Sequence, residues 1–265
     1  MQSKNSLISV EILTQVNREG FTFKVKVAVP LALLVLMVAV GGRQGVSNFL
    51  AVMINFLLMM LAVILMAGGF NPIGVAAVLG LVVLATTIFL STRDSDVAQT
   101  AFVAALLVML GMLLVIGIGV RYAHVAGFGT EDSEALEGYN LLIGVSFPHI
   151  LIATALFSTL GAIAEAAVAV AAGMKTLGAA AAPAGLTQMA AEIIGTALNT
   201  LFFGFFGGFA GLFLWFTQLR YPFWQVLNNQ IFARELIEVL FSMIAVTLTV
   251  PFTMWIVQRR QGGRS

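Results

Sequence analysis

The chain has 265 residues, of which 60% are hydrophobic and only 9% are charged, with a formal net charge of +1. Ordinary soluble domains carry roughly a quarter charged residues, and a chain of this length cannot hide so much apolar surface from water, so lipid is the solvent for most of it. The near-zero charge offers no field for nucleic acid, and the absence of cysteine excludes disulfides, Fe–S ligation and a thiol nucleophile.

Residues 1–22 form a polar tail with Lys4, Glu11, Arg18 and Glu19, and the apolar run that follows is too long for the core of a cleavable signal peptide. Leu7, Val10, Leu13 and Val16 recur at near-helical spacing, which suits either a short helix on the membrane surface or a plain tail. Residues 23–258 then read as an all-α transmembrane bundle of about seven spans, and 259–265 as a basic tail. The spans fall at about 25–40, 46–67, 72–91, 100–120, 140–173, 195–217 and 236–257.

The first span stops at Gly41-Gly42-Arg43. The second stops at Gly68-Gly69-Phe70-Asn71-Pro72, a glycine stop followed by a proline suited to the first turn of the next helix. Arg93-Asp94-Ser95-Asp96 closes the third span and Arg121 the fourth. An acidic loop follows, with Glu131, Asp132, Glu134 and Glu137, and it reads as a solvated loop or as an electrostatic funnel for cations.

The fifth segment is too long for one simple span, because at about 1.5 Å per residue it exceeds the roughly 30 Å hydrocarbon core by half. With Pro148 near its start and Gly161 in its middle, it is the candidate for a broken or re-entrant span. The sixth region is also long: an Ala/Gly/Pro stretch from Gly178 to Gly185, a polar turn around Gln188 and Glu192, then a firm span.

Charge near the span ends bears on this choice. If all seven segments cross from a cytoplasmic N-terminus, Lys4, Arg18, Lys24, Lys26, Arg121, Arg220 and Arg234 lie inside, and Arg43, Arg93, Lys175, Arg259, Arg260 and Arg264 lie outside. That is no bias. If the fifth segment enters and leaves on one side, Lys175 and the C-terminal arginines move inside while Arg220 and Arg234 move out, and the bias becomes clear. Charge therefore favours a re-entrant fifth segment with both termini inside.

Polar residues within the spans carry the chemistry. Glu165 stands alone in an apolar stretch, and a charge at mid-span costs roughly 2.5–3.5 kcal/mol on insertion scales, so it is expected to face the bundle interior or water. Ser158, Gly161, Ala162, Ala169 and Ala172 share its stripe, a small-residue face on which another helix can pack closely. Such a carboxyl either exchanges a proton or binds a cation, or it stays protonated as hydrogen-bonded glue between helices.

Glu192, Thr196 and Asn199 fall on one face of the sixth segment and Glu238, Ser242 and Thr249 on one face of the last, which continues into Pro251 and Thr253. Glu165, Glu192, Thr196, Asn199 and Glu238 are the candidate ion- or substrate-binding residues. Gly204, Gly207, Gly208 and Gly211, with Gly161, read as helix-packing positions, and Asn55 as an interhelical hydrogen-bond donor.

Other chemistries find no footing. His124 and His149 lie too far apart for a local zinc motif, and no lysine lies between Glu235 and Gln258 to carry retinal. The string Glu165-Ala166-Ala167 echoes an ABC-permease coupling loop but sits in an apolar stretch. No phosphate loop or hydrolase motif occurs, so neither an enzyme nor a cofactor or metal is expected.

Three stretches resemble the YibE/F-like family of multi-spanning bacterial membrane proteins: Gly161-Ala162-Ile163-Ala164-Glu165-Ala166-Ala167, Ile193-Ile194-Gly195-Thr196-Ala197-Leu198-Asn199-Thr200-Leu201, and Pro251-Phe252-Thr253. Similarity extends weakly back to Gly41-Gly42. The chain departs from the family pattern at Glu165, where aspartate is usual, and at Ala191 and Glu192, where arginine and aspartate are usual. The resemblance implies a multi-pass protein of the bacterial plasma membrane. It also implies pairing with a related membrane subunit or with a second copy. The whole points to a small secondary transporter or transporter subunit, or else to a non-transporting assembly or regulatory subunit.

Overall fold

The structure, a computed structural model, describes residues 27–123, 146–178 and 182–262. The N-terminal tail, His124 and the acidic loop at Glu131–Glu137 lie outside the described residues. Among the described residues eight helices follow one another: α1 (Val27–Gly41), α2 (Arg43–Ala67), α3 (Pro72–Ser91), α4 (Ser95–Ala123), α5 (Phe147–Leu177), α6 (Pro183–Gln218), α7 (Phe223–Leu227) and α8 (Gln230–Gly262). Among the described residues there is no strand. Six helices, α2 to α6 and α8, are long and apolar enough to cross a bilayer, and α1 is a shorter apolar helix. This is the all-α, multi-pass class that the composition requires, since only helices satisfy every backbone group within one segment in lipid.

The chain divides into two compact units, Met1–Val52 and Met53–Ser265. In the first, α1 and the start of α2 are joined at Gly42, whose φ of +57° suits glycine. At Gly45 any side chain would collide with the Met37 carbonyl.

In the second unit α5 is the central helix, packed on α3, α4 and α8, with α6 lying against α5 and α8. Alanines make this possible. Ala153, Ala155, Ala164, Ala166, Ala167 and Ala171 of α5 are buried against Ala98, Ala101 and Ala105 of α4 and the faces of α3 and α8. Lipid tails are as apolar as these side chains, so the association comes from close van der Waals packing rather than from escape from water. Gly119 extends the principle: a Cβ there would lie 2.5 Å from Cζ of Phe241, so α4 and α8 meet only where the side chain is missing.

Buried hydroxyls bond to their own helices. Thr159 donates to the Leu156 carbonyl at 2.7 Å, Thr249 to Ala245 at 2.6 Å and Thr253 to Thr249 at 2.7 Å. Asn55 donates across helices to Thr87 at 2.8 Å, the interhelical bond expected of it.

The helix ends are encoded locally. After α2 the amide of Phe70 bonds to the Leu65 carbonyl and that of Gly69 to Met66, both at 3.1 Å, with φ +84° at Gly69. Asn71 then caps α3, accepting from Ile73 and Gly74 at 3.0 and 3.3 Å. The end of α6 repeats this arrangement without glycine. Tyr221 bonds to Phe216 and Arg220 to Thr217, both at 3.1 Å, with Arg220 at φ +52° and the rings of Phe216 and Tyr221 stacked at 5.7 Å.

Two expectations are corrected. The fifth segment is neither broken nor re-entrant: α5 is one continuous helix from Phe147 to Leu177. Pro148 falls in its first turn, where a missing N–H breaks no helical bond, and Gly161 is carried by the packed helix around it. The charge argument for both termini inside thus loses its premise. Likewise there is no turn around Gln188 and Glu192. The helix α6 starts at Pro183, and Gln188 donates to Glu192 at 2.9 Å along it. α8 also continues through Pro251.

Candidate functional site

Two polar clusters mark opposite ends of α5. At its N-terminal end, Arg234 and Glu238 of α8 form an ion pair of 3.2 Å with side chains 22% and 12% exposed. The Thr154 hydroxyl of α5 donates to the same Glu238 oxygen at 3.1 Å and accepts a long 3.4 Å contact from the Arg234 guanidinium. Glu238 also borders an open cleft of about 340 Å³, lined by Ser158, Thr200, Gly204, Glu235 and Ser242 among others. Glu238 is thus held by a cation and a hydroxyl, and the i,i+4 spacing of Arg234 and Glu238 was visible in the sequence although it was not singled out.

At the other end, Lys175 of α5 pairs with Asp94 and lies 3.8 Å from Asp96. Asp94 has a second task, since its Oδ1 accepts from the amides of Asp96 and Val97 at 3.0 and 3.2 Å and so caps α4. The hydrogen bond from Lys175, helped by that from the Val97 amide, holds the Asp94 carboxyl below the usual carboxylate range. Beside this pair, Arg260 of α8 donates to the Thr100 hydroxyl at 3.0 Å.

The clusters set the depth of everything between them. From Thr154 to Lys175 the helix rises about 31 Å at about 1.5 Å per residue, which matches the roughly 30 Å hydrocarbon core. Glu165 lies about halfway along α5 between the two clusters, while Glu238 belongs to the cluster at the Thr154 end.

Glu165 does not face the core of this chain. It is exposed, as are Ser158 and Gly161 on the same stripe, whereas Ile163, Ala164, Ala166 and Ala167 on the opposite side are buried. No hydrogen bond or ion pair reaches it among the described residues. A Cβ at Gly161 would meet nothing within 4 Å, so among the described residues no helix lies against α5 at this position.

α6 runs antiparallel to α5, since Gly173 abuts Met189 while Ser158 shares a cleft with Thr200 and Gly204. Interpolation brings Thr196 to about the depth of Glu165. Glu192, Thr196 and Asn199 are nonetheless exposed, and Thr196 and Asn199 satisfy themselves on their own helix, donating to the carbonyls of Glu192 at 2.8 Å and Gly195 at 2.9 Å. Glycines 204, 207, 208 and 211 have open space where a Cβ would stand, with no described residue packed against them there. The contacts of α6 with α8 come instead from the aromatic side, where Phe205, Phe216, Val226 and Phe232 form a buried cluster.

The sequence singles out Glu165 and the polar face of α6 but not Thr154, Arg234, the Lys175–Asp94 pair or the Arg260–Thr100 bond. All but the i,i+4 pair join residues distant in sequence, so periodicity carries no sign of them. Among the described residues no three His, Asp or Glu side chains are grouped to hold a metal ion.

No curated protein matches the chain. No solved structure matches it. A sequence-family model described as "YibE/F-like protein" does match, over residues 29–261. That span takes in the Glu165 stripe, the polar face of α6 and the Pro251 segment together, and the chain belongs to the YibE/F-like family of membrane proteins.

Proposed function

We propose that this multi-pass protein is a subunit of a transporter in the bacterial plasma membrane, and that Glu165 carries a proton or a cation at a surface between two membrane chains. One observation carries the reading: a carboxyl halfway along α5 stands exposed on a small-residue stripe that no described helix of its own chain covers at Gly161. A charge facing lipid at that depth costs roughly 2.5–3.5 kcal/mol. Water or a second protein surface removes that cost, and small residues on either side of Glu165 let a partner helix approach closely. The exposed Glu192, Thr196 and Asn199 add neutral and acidic oxygen ligands along α6. The partner is a second copy or a related chain, and the mechanism assigns no enzymatic step and no cofactor.

The test is proton movement in sealed proteoliposomes under imposed pH and potassium gradients, comparing wild type with Glu165→Gln. Wild-type flux that the substitution abolishes supports the proposal, and flux untouched by it refutes the role of Glu165. A second reading, a non-transporting assembly subunit, is favoured by the open glycine face of α6, which fits a partner helix better than a path. Absence of flux from both proteins, with loss of the co-purifying partner on Glu165→Ala, decides for that reading.

A further inference from the structure

We propose that the cleft between α4, α5 and α8 at the Lys175 end holds the phosphate of an anionic phospholipid. The cleft measures about 370 Å³ and is lined by Asp96, Val97, Gln99 and Thr100 of α4, Ala171 and Lys175 of α5, and Val257 and Arg260 of α8. That volume lies within the range of small-ligand sites. Its level is the membrane boundary set by Lys175, where lipid phosphates lie.

Arg260 is the reason for choosing an anion. Its guanidinium carries five N–H donors in a planar fork, yet among the described residues its only hydrogen bond goes to Thr100, and no carboxylate lies within 4 Å. The fork matches a phosphate with two parallel hydrogen bonds. Thr100 and the Gln99 amide stand on the same wall as further polar contacts, while Val97, Ala171 and Val257 supply an apolar surface for the glycerol and upper acyl carbons. Next to it, Arg259 lies over the Trp255 ring at 4.1 Å, a cation–π pair of the kind that anchors a helix end at the interface and adds a second positive charge.

The acids at this end bear on the assignment. Asp94 and Asp96 both engage Lys175, so the lysine charge is already compensated and attraction for the phosphate rests on Arg260. Asp96 lines the cleft and opposes an anion there. A lipid phosphate site so built must therefore be weakened by loss of Arg260 and strengthened by neutralising Asp96.

The experiment uses the full-length protein in detergent, titrated with phosphatidylglycerol or phosphatidylcholine micelles and followed by tryptophan fluorescence and native mass spectrometry. The wild type is expected to prefer phosphatidylglycerol about tenfold, the worth of one charge-assisted hydrogen bond. Arg260→Gln should abolish that preference, Arg260→Lys should restore part of it, and Asp96→Asn should increase it. Arg260→Lys and thermal melting of each variant guard against loss of fold as the cause. Equal binding of the two lipids, or a preference that survives Arg260→Gln in a folded protein, overturns the site. Displacement of phosphatidylglycerol by inorganic phosphate, with no preference for the lipid form, overturns the lipid assignment in favour of free phosphate.

Discussion

Thr154 and Glu238, 84 residues apart in sequence, are joined by a 3.1 Å hydrogen bond where α5 crosses α8. The same carboxylate is paired with Arg234, so three side chains from two helices share one polar joint. Removing Glu238 takes the carboxylate partner away from a largely covered guanidinium. Glu238→Ala is expected to destabilise the protein by about 1–3 kcal/mol, and Arg234→Met in the same chain to recover part of the loss. A double-mutant cycle of unfolding in mixed micelles measures the coupling, and additive losses would show that the joint contributes nothing.

Gly119 faces the ring of Phe241 with no space for a methyl group. Gly119→Ala should cost about 1–3 kcal/mol through overpacking, and Phe241→Leu in the same chain should restore much of it. Melting temperatures of the two single variants and the double variant give the answer. A Gly119→Ala protein as stable as wild type would mean that the ring moves aside freely.

The uncovered stripe makes a different demand. The natural chain has no cysteine, so single cysteines report cleanly. Gly161→Cys and Gly204→Cys are expected to cross-link to another membrane chain in native membranes, while Val246→Cys on the buried face of α8 is not. Cross-linking at Gly161 no higher than at Val246 would mean that lipid or water, rather than protein, covers Glu165.

Continuity of α5 and α8 dictates sidedness. Cysteines at 175 and 259 should label from one membrane face and a cysteine at 228 from the other, because α5 and α8 are unbroken between their polar ends. Labelling of all three from one face would restore the re-entrant arrangement.

Asp94 has a lowered pKa because Lys175 and the α4 amides favour its carboxylate. Its stabilising contribution is therefore complete above the unfolded value, near about 3.9, and is lost as pH falls through the lowered folded value. Melting in detergent from neutral to strongly acid pH should show this loss in the wild type and a flatter profile in Asp94→Asn. Parallel profiles would remove Asp94 from the acid response.

Much of this protein was legible without coordinates. Apolar runs long enough to span a bilayer declare transmembrane helices, because no other backbone form survives in lipid without a partner. The Gly-Gly-Phe-Asn-Pro stop after α2 was readable for the same kind of reason, since a positive φ and an N-cap are local requirements met by local residues. Glu165 announced itself through the cost of a charge in an apolar stretch. The sequence could not say which way Glu165 faces, because a small-residue stripe suits close packing inside the bundle as well as an outward face. Tertiary packing decided that: bulky Leu156, Leu160 and Ile163 of α5 turn inward against the neighbouring helices and leave the small stripe outward. It also decided that the long segments are continuous helices over their described residues, and that Glu238 joins Arg234 and Thr154 in one hydrogen-bonded cluster. Those are facts of depth and direction, set by which helices touch, and residue spacing along one helix carries no record of them.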